Sequence, residues 1–232
     1  MSDKSNTLGY HDSLFLRFMY IFIKLTLGTI VRVIWVLEVH DMNRMPKNGP
    51  LIVALNHQSF FDFLCFVAVS PRKIHFLSAE KFFSHILWGP LVKLTSQIKV
   101  DRFVHDKSEI HKIVYDHLEY GKVVAIFPEG TRSPHQNDML PAFTGVAEFA
   151  IRGNVPVLPV GIKGTYEVMA KHDKSPKFKK IVTIHIGEPV YFAEYHHSKL
   201  DKKTFRTITN SIMIEISKLS GKNYPHLEYI DE

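Results

Sequence analysis

A histidine and an aspartate five residues apart, in the segment NHQSFFD (56–62), are the side chains best suited to acid–base chemistry. His57 directly follows an apolar run, and Asp62 falls about one turn into the next predicted helix. A neutral imidazole accepts a proton from a hydroxyl near pH 7, and a carboxylate behind it fixes its tautomer. The spacing therefore predicts a His57–Asp62 dyad. Ser59 fits better as a helix cap than as a nucleophile, so the reacting hydroxyl could belong to the substrate.

A second group of polar residues, in FPEGTRSP (127–134), follows another apolar run. Gly130 permits a tight turn, Thr131 offers a hydroxyl, and Arg132 carries a fork of donors suited to phosphate. Glu129 could order this arginine or bind a substrate hydroxyl. The segment therefore predicts a binding turn for an anionic group.

Two further stretches carry clustered cations. QIKVDR (97–102) places Lys99 and Arg102 after an apolar segment, where they could converge with Arg132 on one dianion. Taken singly, each basic pair is explained as well by surface solubility. Residues 171–180 form the most basic stretch, and we expect a solvated loop there, with phosphate or headgroup contact as the alternative.

Several common sites are absent from the sequence. It contains no G-x-S-x-G elbow, no phosphate-binding G-x-x-x-x-G-K-[ST] loop, no G-x-G-x-x-G turn and no H-E-x-x-H. The one cysteine, Cys65, lies in an apolar run and excludes both an internal disulfide and a cysteine-based zinc site. We therefore expect neither a metal site nor a cofactor.

The elements that must position these residues alternate between strand and helix from Pro50 onward. The polar motifs follow apolar strands directly, which is where open α/β sheets place their ligands. This alternation predicts an α/β fold with a mixed sheet flanked by helices. Strands are predicted at 51–57, 73–79, 123–127, 155–162 and 181–186, and helices at 59–66, 109–120, 142–151 and 201–221.

Composition narrows the class of partner. The chain has 29 lysines and arginines against 23 acidic residues, a formal charge of +6, and 45% of its 232 residues are hydrophobic. This is ordinary globular composition with a basic excess, so the partner is expected to be a phosphate-bearing substrate or an anionic membrane surface. Nucleic acid is not expected, because the aromatic residues cluster near the amino terminus rather than among the basic loops.

The amino-terminal segment, residues 14–37, is the most apolar part of the chain. Arg17, Lys24 and Arg32 interrupt it and fall within roughly an 80° arc of one helical face, at 100° per residue. This pattern predicts a membrane-interfacial helix or helix pair, with a break at Gly28, whose cations lie among anionic headgroups. A tilted spanning helix and a buried core helix are the alternatives.

Taken together, the motifs resemble those of the glycerolipid acyltransferases of the bacterial lysophosphatidic acid acyltransferase type. NHQSFFD is similar to the family's N-H-x-x-x-x-D block, QIKVDR to its second block, FPEGTRS to its third and VPVLPV (155–160) to its fourth. Order and spacing agree over roughly residues 50–190. The resemblance implies a membrane-associating helical segment at 1–45 and an acyltransferase domain at 46–232.

The resemblance also implies roles for particular residues. His57 would be the general base and Asp62 its orienting carboxylate. Acceptor binding would fall to Arg102, Pro156 and the turn residues Glu129, Gly130, Thr131 and Arg132. The reaction would move a fatty acyl group from acyl-CoA or acyl carrier protein, as co-substrate, to the sn-2 hydroxyl of 1-acyl-glycerol-3-phosphate. The enzyme would work as a peripheral or monotopic protein on the cytoplasmic face of the membrane.

One departure from the family pattern bears on the acceptor. The family commonly has Phe-Lys-x-Gly after the third block, whereas this chain has Phe143-Thr144-Gly145 and lacks the lysine. An acyltransferase for another lysolipid, such as a lysophospholipid or an amino-acid lipid, is therefore the alternative enzyme. A non-catalytic peripheral lipid-binding protein is the alternative from a different class.

Overall fold

A computed structural model of the chain describes residues 13–84, 86, 88–100, 108–195 and 200–228. The first helix, α1, runs from Leu14 to Ile34. The other helices follow at intervals along the chain: α2 (Phe60–Val69), α3 (Trp88–Leu94), α4 (Ser108–Glu119), α5 (Gly145–Arg152), α6 (Thr165–Val168) and α7 (Lys202–Ser220).

Seven strands form one mixed sheet in the order β1-β7-β6-β2-β5-β3-β4. Every paired neighbour among the described strands runs parallel except β6 and β7, which are antiparallel. The sheet therefore confirms the predicted mixed α/β architecture. The strands are β1 (Val36–His40), β2 (Leu51–Leu55), β3 (Ile74–Ala79), β4 (Ile98–Val100), β5 (Val123–Ile126), β6 (Val157–Lys163) and β7 (Val182–Ile186).

Apolar clusters cover both faces of the sheet. Side chains of α2 and of the end of α1 pack on one face, and side chains of α4, α5 and α7 pack on the other. The central strand β2 is buried along its whole length, as expected for a parallel strand covered on both faces.

Four elements were not predicted from the sequence, among them the four-residue helix α6. Strand β1 continues from the apolar amino-terminal segment, so the start of the sheet is hidden within a longer hydrophobic run. Strand β4 has three residues and α3 has seven, which is too short for periodicity to be read. The long elements were predicted within a few residues of their observed ends.

Helix α1 is continuous across Gly28, so the predicted break there is wrong. Residues Lys24–Gly28 form a wider π-type turn instead, and Gly28 faces Ala68 of α2. The helix is 21 residues long with only 11% of its most apolar window buried, which excludes a core helix. By length and composition α1 suits a membrane, because 21 residues rise about 32 Å and a hydrocarbon core is about 30 Å thick.

Lys24 does not stand among the membrane-facing cations, contrary to the sequence prediction. Its ammonium group donates to the backbone carbonyl of Ser70, the residue that ends α2. Arg17 and Arg32 are exposed as expected. Lys24 therefore ties α1 to the helix that carries Asp62.

The carboxyl ends of β2, β3, β5 and β6 meet at one edge of the sheet, because these strands are parallel. Directly after β2, the side chain of Asn56 continues the pairing with β6. Its amide nitrogen donates to the Ile162 carbonyl at 3.0 Å, and its oxygen accepts from the Ile162 N–H at 2.8 Å. This fully buried side chain fixes the point at which the chain leaves the sheet towards His57.

Replacing Asn56 by alanine is expected to lower the free energy of unfolding by roughly 2 to 4 kcal/mol, because it leaves a buried N–H and a buried carbonyl unpaired. Urea unfolding in detergent micelles, followed by circular dichroism, measures the change. The matched control is Asn137→Ala on the exposed surface, which should shift stability by less than about 0.5 kcal/mol. Equal losses in the two variants would contradict this account of Asn56.

Candidate active site

The carboxylate of Asp62 is fully buried and accepts hydrogen bonds from four groups. Its Oδ2 receives the Gln58 N–H at 2.7 Å, the Ser59 N–H at 2.8 Å and the Nδ1 of His57 at 3.0 Å. Its Oδ1 receives the hydroxyl of Thr165 at 2.5 Å. A buried charge is tolerated only when it is paired or hydrogen-bonded, and here four donors meet that requirement.

Asp62 is held in place by the start of α2. Ser59 is the N-cap of the helix and Asp62 the third residue, so their side chains and backbones form a reciprocal capping box. The predicted capping role of Ser59 is confirmed. Its hydroxyl also donates to the Met169 carbonyl at 2.6 Å, so it is not oriented as a nucleophile.

His57 presents its remaining ring nitrogen to a cavity. Its Nδ1 is hydrogen-bonded to Asp62, and the ring stacks on Phe127 with a centroid distance of 3.9 Å and an interplanar angle of 13°. The side chain is 16% exposed and lines the cavity. Because Nδ1–H donates to the carboxylate, Nε2 carries the free lone pair and can accept a proton.

Glu129 pins the backbone of His57 and does not face the cavity. One carboxylate oxygen accepts the His57 N–H at 2.6 Å, and the other accepts the Leu140 N–H at 2.7 Å. The residue is 2% exposed. On the other side of the peptide, the His57 carbonyl accepts the Ser133 N–H at 2.7 Å. The expectation that Glu129 binds the acceptor is therefore replaced by a structural role for its carboxylate.

The turn after β5 brings Arg132 and Gly130 to the cavity wall. Gly130 has a φ of +66°, and a Cβ there would lie 2.7 Å from the ring of Phe143, so only glycine fits. The guanidinium of Arg132 makes no ion pair or hydrogen bond with any residue in the described part of the chain. Thr131 is exposed and does not line the cavity. Arg132 is thus the cation available to a ligand.

The cavity has a volume of about 710 Å³ and lies beyond the carboxyl ends of β3 and β5. The polar side chains that line it are those of His57, Ser78, His111, Arg132, Thr144 and Glu148. The rest of the wall is largely aromatic and aliphatic, which suits an acyl chain and not a polar polymer. The apolar lining includes Phe60, Phe63, Phe76, Leu77, Val92, Ile110, Phe127 and Phe149.

Among the predicted site residues that the structure describes, Pro156 does not line this cavity either. Pro156 precedes β6 at the opposite edge of the sheet: Leu55 pairs with Val160, and Pro156 lies four residues earlier, or about 13 Å at roughly 3.3 Å per residue. It accepts the Ile52 N–H through its carbonyl and does not shape an acceptor pocket. Arg102 lies outside the described residues.

Neither a thiol nucleophile nor a metal cluster is found beside the dyad. Cys65 is buried, and burial raises the pKa of its thiol far above the usual range. Among residues 13–84, 86, 88–100, 108–195 and 200–228, no three histidine, cysteine or acidic side chains gather closely enough to hold a metal ion.

Thr165, Gln58 and Asn56 support the site but were not singled out from the sequence. Thr165 follows Gly164 at the carboxyl end of β6, beside the end of β2. The available signal was a hydroxyl residue directly after a buried strand. Gln58 anchors the segment that follows the third block through its side-chain amide, which donates to the His135 and Gln136 carbonyls at 2.8 and 2.7 Å. Nothing in the sequence indicates those partners.

The buried carboxyl of Glu129 is expected to make stability pH-dependent. Burial raises its pKa to about 8, against the opposing hydrogen bonds from the Leu140 and His57 N–H groups. Since the folded-state pKa lies above the unfolded value, this group's contribution is fully present at low pH. It is lost as pH rises through about 8.

We expect the free energy of unfolding of the native chain to fall more steeply between pH 5 and pH 8 than that of Glu129→Gln. At pH 5 the variant should be less stable by about 1–3 kcal/mol, because its amide nitrogen cannot accept a backbone N–H. Urea unfolding across this pH range measures both quantities. Identical pH slopes in the two proteins would contradict the role given to Glu129.

Comparison with known proteins is consistent with this geometry. The chain is 26% identical over 205 residues to the 1-acyl-sn-glycerol-3-phosphate acyltransferase of Bacillus subtilis (strain 168), covering 88% of this chain and 98% of the relative. It is 27% identical over 165 residues to the 1-acyl-sn-glycerol-3-phosphate acyltransferase alpha of Homo sapiens, covering 68% of this chain and 54% of that relative.

A solved structure shares the fold. The crystal structure of PlsC, the 1-acyl-sn-glycerophosphate (LPA) acyltransferase from Thermotoga maritima, superposes with a TM-score of 0.70 at 22% identity, covering 88% of this chain and 80% of that one. A sequence model of the Acyltransferase family matches residues 36–163. That segment is more than half of the chain and contains the His57–Asp62 pair and Arg132. The chain therefore belongs to the Acyltransferase family.

Proposed function

We propose that the chain is a 1-acyl-sn-glycerol-3-phosphate O-acyltransferase, which makes phosphatidic acid for phospholipid synthesis. The observation that carries this proposal is the His57–Asp62 hydrogen bond beside a cavity that is also lined by Arg132 and by mostly apolar side chains. A base, a cation and an apolar channel are what transfer of an acyl chain to a phosphate-bearing lipid requires. The names of the relatives in Bacillus subtilis and Homo sapiens support the same acceptor.

In the proposed mechanism, Nε2 of His57 removes the proton from the sn-2 hydroxyl as its oxygen attacks the thioester carbonyl carbon. The negative Asp62 stabilises the imidazolium that forms. Collapse of the tetrahedral intermediate breaks the carbon–sulfur bond, and the imidazolium returns the proton to the departing thiolate. The substrate supplies the nucleophile, so no acyl-enzyme is formed.

Negative charge in the cavity would be stabilised by two groups. Arg132 is proposed to hold the acceptor's phosphate through paired N–H donors. Gly145 and Val146 begin α5 at the cavity wall, and the first N–H groups of a helix have no intrahelical acceptor. These donors are proposed to stabilise developing oxyanion charge.

The remaining parts of the proposal concern the substrates and the membrane. Acyl-CoA or acyl carrier protein would deliver the thioester from water as co-substrate, without a further cofactor. The exposed apolar surface of α1 indicates membrane association. We infer that α1 lies in the interface on the cytoplasmic face, as a peripheral or monotopic anchor over an anionic surface, and brings the lipid acceptor sideways to the cavity.

A second acceptor class is favoured by one specific observation. Thr144 lines the cavity where the family commonly carries a lysine. The loss of one cation weakens the binding of a doubly charged phosphate monoester more than that of a singly charged phosphate diester. Another lysolipid is therefore the alternative acceptor, with the same chemistry.

Replacing His57 by alanine is expected to lower kcat by about 10²–10⁴-fold, because the general base is lost. Acyl transfer from radiolabelled acyl-CoA to lysophosphatidic acid in mixed micelles measures the rate. Vesicle flotation should show unchanged membrane binding. The matched control is His135→Ala, since the His135 ring is exposed and only its carbonyl accepts bonds. Full turnover by the His57 variant would refute the dyad assignment.

Replacing Arg132 by glutamine is expected to raise the KM for lysophosphatidic acid by about 10- to 100-fold, the loss of a charged hydrogen bond. The KM of Arg132→Lys should lie between those of the native chain and Arg132→Gln, since an ammonium group keeps the charge but lacks the paired N–H donors of arginine.

Running these variants against a panel of lysolipids with both donors separates the candidates. Turnover confined to lysolipids other than lysophosphatidic acid would establish the alternative acceptor. If no acceptor is converted by the native chain with either donor, the lipid-binding function replaces catalysis.

A further inference from the structure

Residues 171–180 form an exposed basic loop that contacts Trp35, the residue after the amino-terminal helix. Five of its residues are lysines and one, Asp173, is acidic. The aromatic ring of Phe178 is 76% exposed in the middle of these cations. Its exposed lysines are Lys174, Lys177, Lys179 and Lys180. No aromatic side chain that the structure describes is more exposed than that of Phe178.

The basic loop is fixed to the domain at several points. The Lys177 carbonyl accepts the indole N–H of Trp35 at 2.9 Å, and the Lys177 N–H donates to the Val168 carbonyl at 2.8 Å. The Phe178 ring stacks on Trp35 with a centroid distance of 5.6 Å. Asp173 accepts the Ala170 N–H at 3.0 Å. These contacts give the backbone of the loop at Lys177 and the ring of Phe178 a defined position on the domain.

That position is the carboxyl-terminal end of α1. Trp35 directly follows the helix, and Arg32 lies exposed in its last turn. Val33 and Leu37, on either side of Trp35, are 61% and 53% exposed. Cations and an aromatic ring thus gather where the long apolar helix meets the globular domain. Lysine, arginine and amphipathic aromatic rings favour that level of a membrane, between hydrocarbon and water.

We propose that the basic loop is a second membrane contact, which docks onto an anionic phospholipid bilayer at the end of α1. This inference rests on the membrane association given under the proposed function and assigns the lipid surface to particular residues. The lysines contact headgroup phosphates, and the Phe178 ring enters the interface beside Trp35. The chain's basic excess is locally concentrated here, where each lysine near an anionic surface adds to binding.

The contact has a direct path to the dyad. Trp35 also packs against Phe61, with a centroid distance of 4.7 Å, and Phe61 precedes Asp62 in α2. The Ser59 hydroxyl, which caps α2, donates to Met169 just before the basic loop. Docking of the loop therefore orients the helix that holds Asp62 relative to the bilayer.

A fluorescent label on the loop tests the contact directly. The full chain carrying Ser175→Cys is labelled with an environment-sensitive dye, while buried Cys65 stays unlabelled. With vesicles of phosphatidylcholine and phosphatidylglycerol (7:3), we expect a blue shift and a gain in emission. The matched control is Ser211→Cys, exposed on α7 across the sheet, whose labelled form should not change. Flotation of both samples confirms that the protein is bound.

Charge removal gives the second test. The variant with Lys174, Lys177, Lys179 and Lys180 changed to glutamine is expected to bind these vesicles roughly tenfold or more weakly at low salt, and pure phosphatidylcholine vesicles equally well. The control removes four lysines from α4 and α7, on the other face of the sheet: Lys112, Lys202, Lys203 and Lys218. It has the same net charge and should keep native binding.

The outcomes separate this inference from the proposed function. If bound protein shows no dye response at position 175, the loop stays in water and the inference is overturned, while α1 remains the anchor. Equal weakening by both lysine variants would also overturn it, because net charge alone would then explain binding. Failure of the native chain to float with any vesicle would instead refute the membrane association itself.

Discussion

The arrangement of the site depends on one constraint, the burial of the Asp62 carboxylate. A charge that is fully removed from water needs donors on every side, and the chain supplies them from three places. The backbone at the start of α2 provides the N–H groups of Gln58 and Ser59, His57 provides its Nδ1–H and Thr165 provides a hydroxyl. Because β2 and β6 are parallel neighbours, the segments that follow them meet at this point. The need to satisfy the carboxylate thus fixes the imidazole orientation.

A second buried acidic side chain, that of Glu129, connects the first and third motifs. Glu129, from the third block, holds the backbone N–H of His57 in the first block and the N–H of Leu140 beyond the turn. The histidine is therefore fixed through its main chain by one acid and through its side chain by another. This explains why a glutamate stands beside Gly130 without reaching the ligand. Arg132, three residues later in the same motif, lines the cavity instead.

The amino-terminal helix is more than an anchor attached to the domain. Lys24 donates a hydrogen bond at the carboxyl-terminal end of α2. Trp35, which directly follows α1, packs on Phe61 near the start of α2. The helix that provides Asp62 is therefore held near both of its ends by the apolar amino-terminal helix and the residue that follows it. Under the proposed function, this packing couples the exposed apolar face of α1 to the helix that carries Asp62.

The sequence by itself determined the fold class, the dyad, the turn around Gly130 and the family, because these rest on local spacing and on strand–helix periodicity. It also located most long elements, since their apolar patterns are longer than their boundary errors. Only the tertiary structure showed that Glu129 accepts hydrogen bonds from the backbone at His57 and Leu140, and that Lys24 bonds to the end of α2. It also showed that Pro156 lies at the edge of the sheet opposite the cavity. Asn56 and Thr165 likewise gained their roles from strand order, which brings β6 beside β2 although about a hundred residues separate them in the chain. Hydrogen-bond partners at that separation are set by packing, and local sequence carries no record of them.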